Sequence, residues 1–260
     1  MSSDVKKWAL LLAYDGTAYH GWQRQPDART IQGLLADALA DLLGEPVGLV
    51  GAGRTDAGVH ALGQVASFST QRPLPPEAIR AALNARLPRD VRVLAAREVP
   101  AGFDARRSAR SKRYAYLIWN ARAASPFLAP YAWQVSRPLD TAAMAAGLPP
   151  LRGKHDFSAF RAAAGQDRSP IRTLYSARLR SRGPLLAFFF SADAFLHHMA
   201  RNLVGSLVEV GQGKRPPEWI GEILAARDRR LAGPTAPACG LFLLGVRYPF
   251  PLFPGRGRRL

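Results

Sequence analysis

Apolar and polar positions along the chain alternate in two successive series of the same kind. The segment "KWALLLAY" (Lys7 to Tyr14) is apolar over the length of a buried strand, and the "DGT" that follows is a turn. In "TIQGLLADALADLLG", Ile31, Leu34, Leu35, Ala38, Leu39, Leu42 and Leu43 recur at helical spacing, with Thr30 placed to cap the start and Gly44 to stop it. Val47 to Val50 and Gln64 to Ser69 read as strands on either side of "GAGRTDAGVH" (Gly51 to His60). "PPEAIRAALNARL" opens with prolines suited to a first helical turn and carries Ile79, Leu83 and Leu87, before the strand "VRVLAAREV". Strand, helix, strand, strand, helix, strand is the ferredoxin-like order.

From Arg113 the order begins again: the strand "RYAYLIW", a helix near Thr141 to Leu148, the strands "RTLYSARLRS" and "LLAFFFSA", a helix from Phe195 to Val210 and the strand "LFLLGVRY". The halves share element order without visible sequence identity, so one continuous sheet and two separate lobes both remain open. The boundary is placed near Arg106 to Lys112, where "ARRSARSK" concentrates charge among small residues. The expected organisation is therefore α+β: a ferredoxin-like half over residues 1–107, a second over 108–250, and a basic tail over 251–260.

Charge narrows the partner. The 260 residues carry a formal net charge of +17, from 36 basic against 19 acidic side chains, and all but five of the basic ones are arginine. Arginine's planar fork fits phosphate, so an excess of this size points to a polyanion, with nucleic acid ahead of an acidic membrane. A solvated arginine-rich surface is the plainer explanation. No apolar run is long enough to span a bilayer, and the start "MSSDVKKWALLLAYDG" lacks a signal-peptide cleavage pattern. A single cysteine, Cys239, removes disulfide frameworks and thiolate zinc sites and suits a reducing cytoplasm, with Cys239 itself a small apolar filler.

Chemistry concentrates in two places. "GAGRTDAG" is no nucleotide-binding loop, because no G-K-[ST] follows and the next element reads as a strand. It leaves Asp56 on a loop between two strands, with Gly53 and Gly58 allowing close approach of another backbone or a flat ligand. On the loop alone, a plain turn aspartate is the favoured reading. In "DAFLHHMARNLVGSLVEVG", Asp193 can cap a helix whose stripe is Phe195, Leu196, Met199, Ala200, Leu203, Val204, Leu207 and Val208. Arg201 then sits mid-helix beside the stripe, either snorkelling at the core rim or paired with a buried carboxylate, for which Asp56 is a candidate. His197 and His198, adjacent on a helix, would point about 100° apart, which gives a metal little support. His60 is a candidate base for a hydrolase, though no serine or cysteine nucleophile signature accompanies it. Three loops mixing arginine with aromatics, over residues 16–30, 120–138 and 153–172, suit phosphate contact and base stacking.

Taken together, "YDGTAYHGWQRQ", "GAGRTDAGVHALGQVASF", "FDARRSARSKRYAY", "AFLHHMARNLVGSLVEVG" and "GLFLLGVRYP" closely resemble the tRNA pseudouridine synthase A family, in order from near residue 14 to near residue 249. The resemblance implies the pseudouridine synthase fold, two ferredoxin-like halves with largely antiparallel sheets meeting at a central basic active-site cleft. It also implies isomerisation of uridine to pseudouridine at positions 38, 39 and 40 of the tRNA anticodon arm, with no cofactor and no catalytic metal, by a cytoplasmic homodimer. By matching motif, Asp56 is the nucleophile, attacking the ribose C1′ or the base C6. Arg201 is its basic partner, Tyr114 the ring that stacks on the target base, and Arg54 the arginine linked to flipping the uridine. Phe103, Arg106, Arg107 and Arg168 fall in stretches expected to touch tRNA, and Arg24 and Gln25 in a loop expected to approach the anticodon arm. A non-catalytic tRNA-binding protein of the same fold is the alternative; it would need the basic loops but not the aspartate, tyrosine and arginine together.

Overall fold

The computed structural model describes residues 5–72, 74–162 and 169–254. The chain divides into two compact units, one of residues up to Arg110 together with those from Leu243 onward, the other Ser111–Phe242. Among the described residues no helix is long and apolar enough to cross a membrane.

The first unit contains β1 (Lys6–Tyr14), α1 (Ile31–Leu43), β2 (Val50–Gly51), β3 (His60–Thr70), α2 (Pro76–Arg86) and β4 (Val91–Val99). β1 lies between β4 and β3 and is antiparallel to both, and β2 pairs antiparallel with β3. That is the pairing a βαββαβ unit requires, with each crossover helix joining strands that skip a neighbour. Trp8, Leu10 and Leu12 on β1 and Phe68 on β3 are buried, each apolar side chain contributing about 1.5–3 kcal/mol by leaving water. Thr30 caps α1 by accepting from the Gly33 amide, and Gly44 ends it at φ 69, the left-handed conformation its lack of a Cβ permits. The expected strand Val47 to Val50 shrinks to Val50–Gly51, because the carbonyl of Leu49 accepts from the Gln32 side chain.

The second unit contains β5 (Ser111–Trp119), β6 (Trp133–Gln134), α3 (Thr141–Ala146), β7 (Gly153–Asp156), β8 (Ile171–Arg182), β9 (Leu185–Ala192), α4 (Met199–Gly211) and α5 (Trp219–Ala226). Its strands run β5-β9-β8-β7, antiparallel throughout, with β6 added parallel to the end of β5. β9 alternates strictly: Leu186, Phe188, Phe190 and Ala192 are buried while Leu185, Ala187, Phe189 and Ser191 are only half-buried, so one face of this sheet is core and the other is not. α4 is buried along most of its length and takes its place because Gly205 and Gly233 have no side chain: a Cβ on Gly205 would stand 1.7 Å from the Pro234 carbonyl oxygen. β10 (Leu241–Arg247) opens in the second unit and from Leu243 runs in the first, beside β3, where a Cβ on Gly63 would meet the Leu244 carbonyl at 2.6 Å.

The helix expected from Phe195 starts four residues later. Asp193 does not cap it; its Oδ1 accepts from the Thr173 and Ala194 amides, which turns the chain as it leaves β9. His198 stands at the helix start instead, at φ 62. His197 and His198 therefore precede the helix with ring centroids 4.0 Å apart, and the divergence argued from helical geometry does not apply to them.

Candidate active site

The loop Gly51 to His60 joins β2 to β3 in the first unit, and its main chain is pinned from several sides. The Ala52 amide donates to the Val65 carbonyl (2.7 Å), the Trp22 amide to the Thr55 carbonyl (2.9 Å) and the Gly58 amide to the Tyr19 carbonyl (3.3 Å). Gln64 Nε2 donates to the Gly53 carbonyl at 2.8 Å, and Thr55 Oγ1 shares a 2.8 Å hydrogen bond with the Tyr14 hydroxyl. Burial pushes that hydroxyl up to about 12, against a smaller opposite effect of Thr55 and Gln64, so Tyr14 is a neutral partner at any physiological pH. Within this frame Asp56 opens a turn closed by its main-chain carbonyl, which accepts from the Val59 amide at 3.1 Å. Gly58 occupies the third position at φ 76, as a type II turn requires.

The segment after β1 wraps this loop so closely that only glycine fits at three points. A Cβ on Gly16 would lie 2.0 Å from the Val59 carbonyl oxygen, one on Gly21 2.5 Å from that of Thr55, and one on Gly51 2.5 Å from the Trp22 ring. Gly21 also has φ 84. These neighbours fix the peptide that carries Asp56, a half-buried residue between exposed Arg54 and Ala57 on a rigid support.

Arg54 is exposed, and its Nε donates to Gln23 Oε1 at 3.1 Å. Arg24 reaches Asp37 Oδ1 at 3.2 Å in a solvent-exposed pair of little energetic weight, and Gln25 donates to the His20 carbonyl at 3.2 Å. Gln23 thus joins Arg54 to the segment that carries Arg24 and Gln25, while those two residues hold Asp37 and the His20 carbonyl. Phe103 lies elsewhere in the unit, buried against Val65, Ala105, Tyr248 and Leu252 with its ring 5.2 Å from that of Tyr248. Arg106 and Arg107 beside it are exposed, their main-chain amides both donating to Asp104 Oδ1 at 2.8 Å. Arg168 lies outside the described residues.

His60 is the candidate base of the hydrolase reading, and its position argues against that role. The ring is 1% exposed, and Nδ1 lies 3.1 Å both from the Gly16 amide and from Asp15 Oδ1. A single nitrogen cannot accept from the first and donate to the second at once, but either bond commits it to holding the turn after β1.

In the second unit Tyr114 is on β5 opposite Phe190, 6% exposed, with Phe195 edge-on at 4.8 Å. Arg201 is in the first turn of α4, half-buried, and its Nε donates to the Ala236 carbonyl at 2.7 Å. The Ala236 amide returns a hydrogen bond to the Arg201 carbonyl at 3.2 Å, so this arginine is aimed by the segment 233–236. The next residue, Asn202, is fully buried; it donates to the Phe160 carbonyl (2.8 Å) and accepts from Thr235 Oγ1 (2.7 Å) and Arg229 Nη2 (3.2 Å). Tyr14, Thr55, Gln64 and Asn202 are supports that the pattern of apolar positions does not reveal, since each polar partner is distant in sequence.

A family model described as tRNA pseudouridine synthase matches residues 11–106 and 150–249. Relatives named tRNA pseudouridine synthase A resemble the chain nearly end to end. The Myxococcus xanthus protein is 49% identical over 240 residues, covering 92% of this chain and 91% of its own. The Bordetella petrii protein is 47% identical over 247 residues (94% and 92%), and that of Salmonella paratyphi B 45% over 248 residues (95% and 92%).

Proposed function

The chain belongs to the tRNA pseudouridine synthase family and is an isomerase that forms pseudouridine in tRNA; from that premise we propose that it acts on uridines 38, 39 and 40 of the anticodon stem-loop, with Asp56 as nucleophile. The observation that supports this reading is the mounting of Asp56: a half-buried carboxylate on a loop that five hydrogen bonds from β1, β3 and the wrapping segment hold in place. An ionised aspartate can attack either the ribose C1′ or the base C6, and either attack opens a route to breaking the N1–C1′ bond and joining C5 to C1′. Atoms are conserved between uridine and pseudouridine, so no co-reactant enters.

The other roles follow from residue chemistry. Arg201 is the basic partner assigned to that carboxylate. Tyr114 offers a ring for stacking on the target base. Arg54, exposed two residues before the nucleophile, fills the space left when a uridine is turned out of its stem, offsetting the few kcal/mol that unstacking costs. Arg24, Gln25, Phe103, Arg106, Arg107 and Arg168 belong to the tRNA-contacting segments. The protein works in the cytoplasm as a homodimer, a state that sedimentation would report.

The test is to map pseudouridine in unmodified tRNA incubated with the purified protein and no added metal or nucleotide. Product at 38, 39 and 40 is expected. Asp56→Asn should yield none while still binding tRNA, and full turnover by that variant would overturn the nucleophile assignment.

A further inference from the structure

The outward face of β8 carries charge that the isomerase chemistry leaves unused. The β9 residues Leu186, Phe188 and Phe190 are core, so the register places Arg178, Arg180 and Arg182 opposite Phe189, Ala187 and Leu185, on the other face of the sheet. All three arginines are exposed. Successive members stand about 6.8 Å apart along an antiparallel strand, of the order of one nucleotide step in a polynucleotide backbone. From Ile171 to Ala192 the hairpin has four arginines and no aspartate or glutamate. Among the described residues, the side chains of these three make no hydrogen bond or ion pair, whereas those of Arg24, Arg80 and Arg230 hold Asp37, Glu77 and Asp228.

Beyond Leu174, where the pairing with β7 ends, no other strand of the described residues covers that edge of β8, although Arg152 Nη2 donates to the Ala177 carbonyl at 3.1 Å, and Tyr175 at the bulge is 56% exposed. A charge on an edge strand also guards against sheet-to-sheet association. Guarding needs only an interruption of the edge, however, and three cations in one register repel one another, with no carboxylate among the described residues paired to them. A row of phosphates does offset it, and guanidinium forks bind phosphate oxygens in pairs.

We propose that Arg178, Arg180 and Arg182 form a phosphate track that binds the backbone of tRNA apart from the residues assigned to chemistry, with the Tyr175 ring at its end as a stacking surface. The proposal rests on the reading of the chain as a tRNA-modifying enzyme and extends its grip on the substrate to the outer sheet face of the second unit.

The experiment compares the wild-type chain with Arg178→Gln/Arg180→Gln/Arg182→Gln and with the triple lysine variant, measuring binding of unmodified tRNA over a salt series. Circular dichroism melts establish that both variants fold. The glutamine variant should bind more weakly, its plot of log affinity against log salt shallower by about 0.7–0.9 for each phosphate no longer neutralised, and the loss in turnover should fall on KM. The lysine variant should retain the wild-type slope. Wild-type affinity and slope in the glutamine variant, or a loss of solubility with no loss of binding, would overturn the track in favour of a solvated face or an edge guard. Pseudouridine mapping on the same preparations separates this outcome from failure of the enzymatic reading: a shallower slope without any wild-type product sinks the latter and leaves the track standing.

Discussion

Gly21→Ala tests whether the segment after β1 truly positions the catalytic loop. Two costs act together at this residue. Its φ of 84 is a conformation that an L-residue adopts at about 1–2 kcal/mol. The new Cβ would lie 2.5 Å from the carbonyl oxygen of Thr55, and displacing a packed neighbour adds about 1–3 kcal/mol. The clashing atom is main chain, belongs to the residue before Asp56 and accepts from the Trp22 amide, so relief of the clash must move the peptide that carries the carboxylate. A fall in melting temperature on the order of 10 °C follows from the summed cost. A carboxylate displaced by about 1 Å costs roughly 10²-fold in turnover. The control is Gly48→Ala: that residue is exposed, has no atom within 4 Å of a built Cβ, and should be neutral or slightly stabilising. Pseudouridine formation and thermal melts on the two variants make the comparison. If Gly21→Ala turns over within twofold of Gly48→Ala and melts with it, the loop is not positioned as argued.

Two further perturbations address the second unit. Asn202→Ala strips partners from the Phe160 carbonyl, Thr235 and Arg229 in a fully buried setting, and should cost about 3 kcal/mol in denaturant unfolding, a deficit that a stability equal to wild type would refute. Asp156 gives a pH signature. Burial pushes its carboxyl up, but hydrogen bonds from Ser158 and then the charges of Arg227 and Arg161 outweigh that and hold it below the usual value. A depressed folded pKa contributes stability above the unfolded value of about 4 and loses it as pH falls through the folded one. Asp156→Asn should therefore melt below wild type at neutral pH and converge with it in acid, and a gap that persists or widens in acid would contradict the assignment.

Where the apolar pattern was strong, it bounded the elements closely. "VRVLAAREV" and "LLAFFFSA" are β4 and β9 residue for residue, and Thr30 and Gly44 end α1 as their chemistry dictates. Failures occur where a side chain takes a main-chain partner that the pattern cannot show. Asp193 spends its oxygen on the Thr173 amide twenty residues away, so the apolar spacing of Phe195 and Leu196 continues a helix that starts only at Met199. α5 is eight residues long and β7 four, too short for periodicity to register. The candidate residues were legible through the motif match, but the supports around Asp56 were not: the bond from Tyr14 to Thr55 spans 41 positions.

Turn corner and reacting carboxylate, the two accounts of Asp56 that its loop leaves open, are compatible in the fold. Asp15, Asp104, Asp140 and Asp228 each hold a nearby main-chain amide with a side-chain oxygen, a task asparagine performs nearly as well. At Asp56 the main-chain carbonyl closes the turn, and the loop around it is secured through Ala52, Gly53, Thr55 and Gly58. Asparagine at this position therefore keeps the closing bond and nearly the same volume, and removes the negative charge. Loss of product in an Asp56→Asn variant that melts like wild type and binds tRNA isolates the charge as the requirement. A variant that melts well below wild type would show instead that the carboxylate is part of what holds the loop.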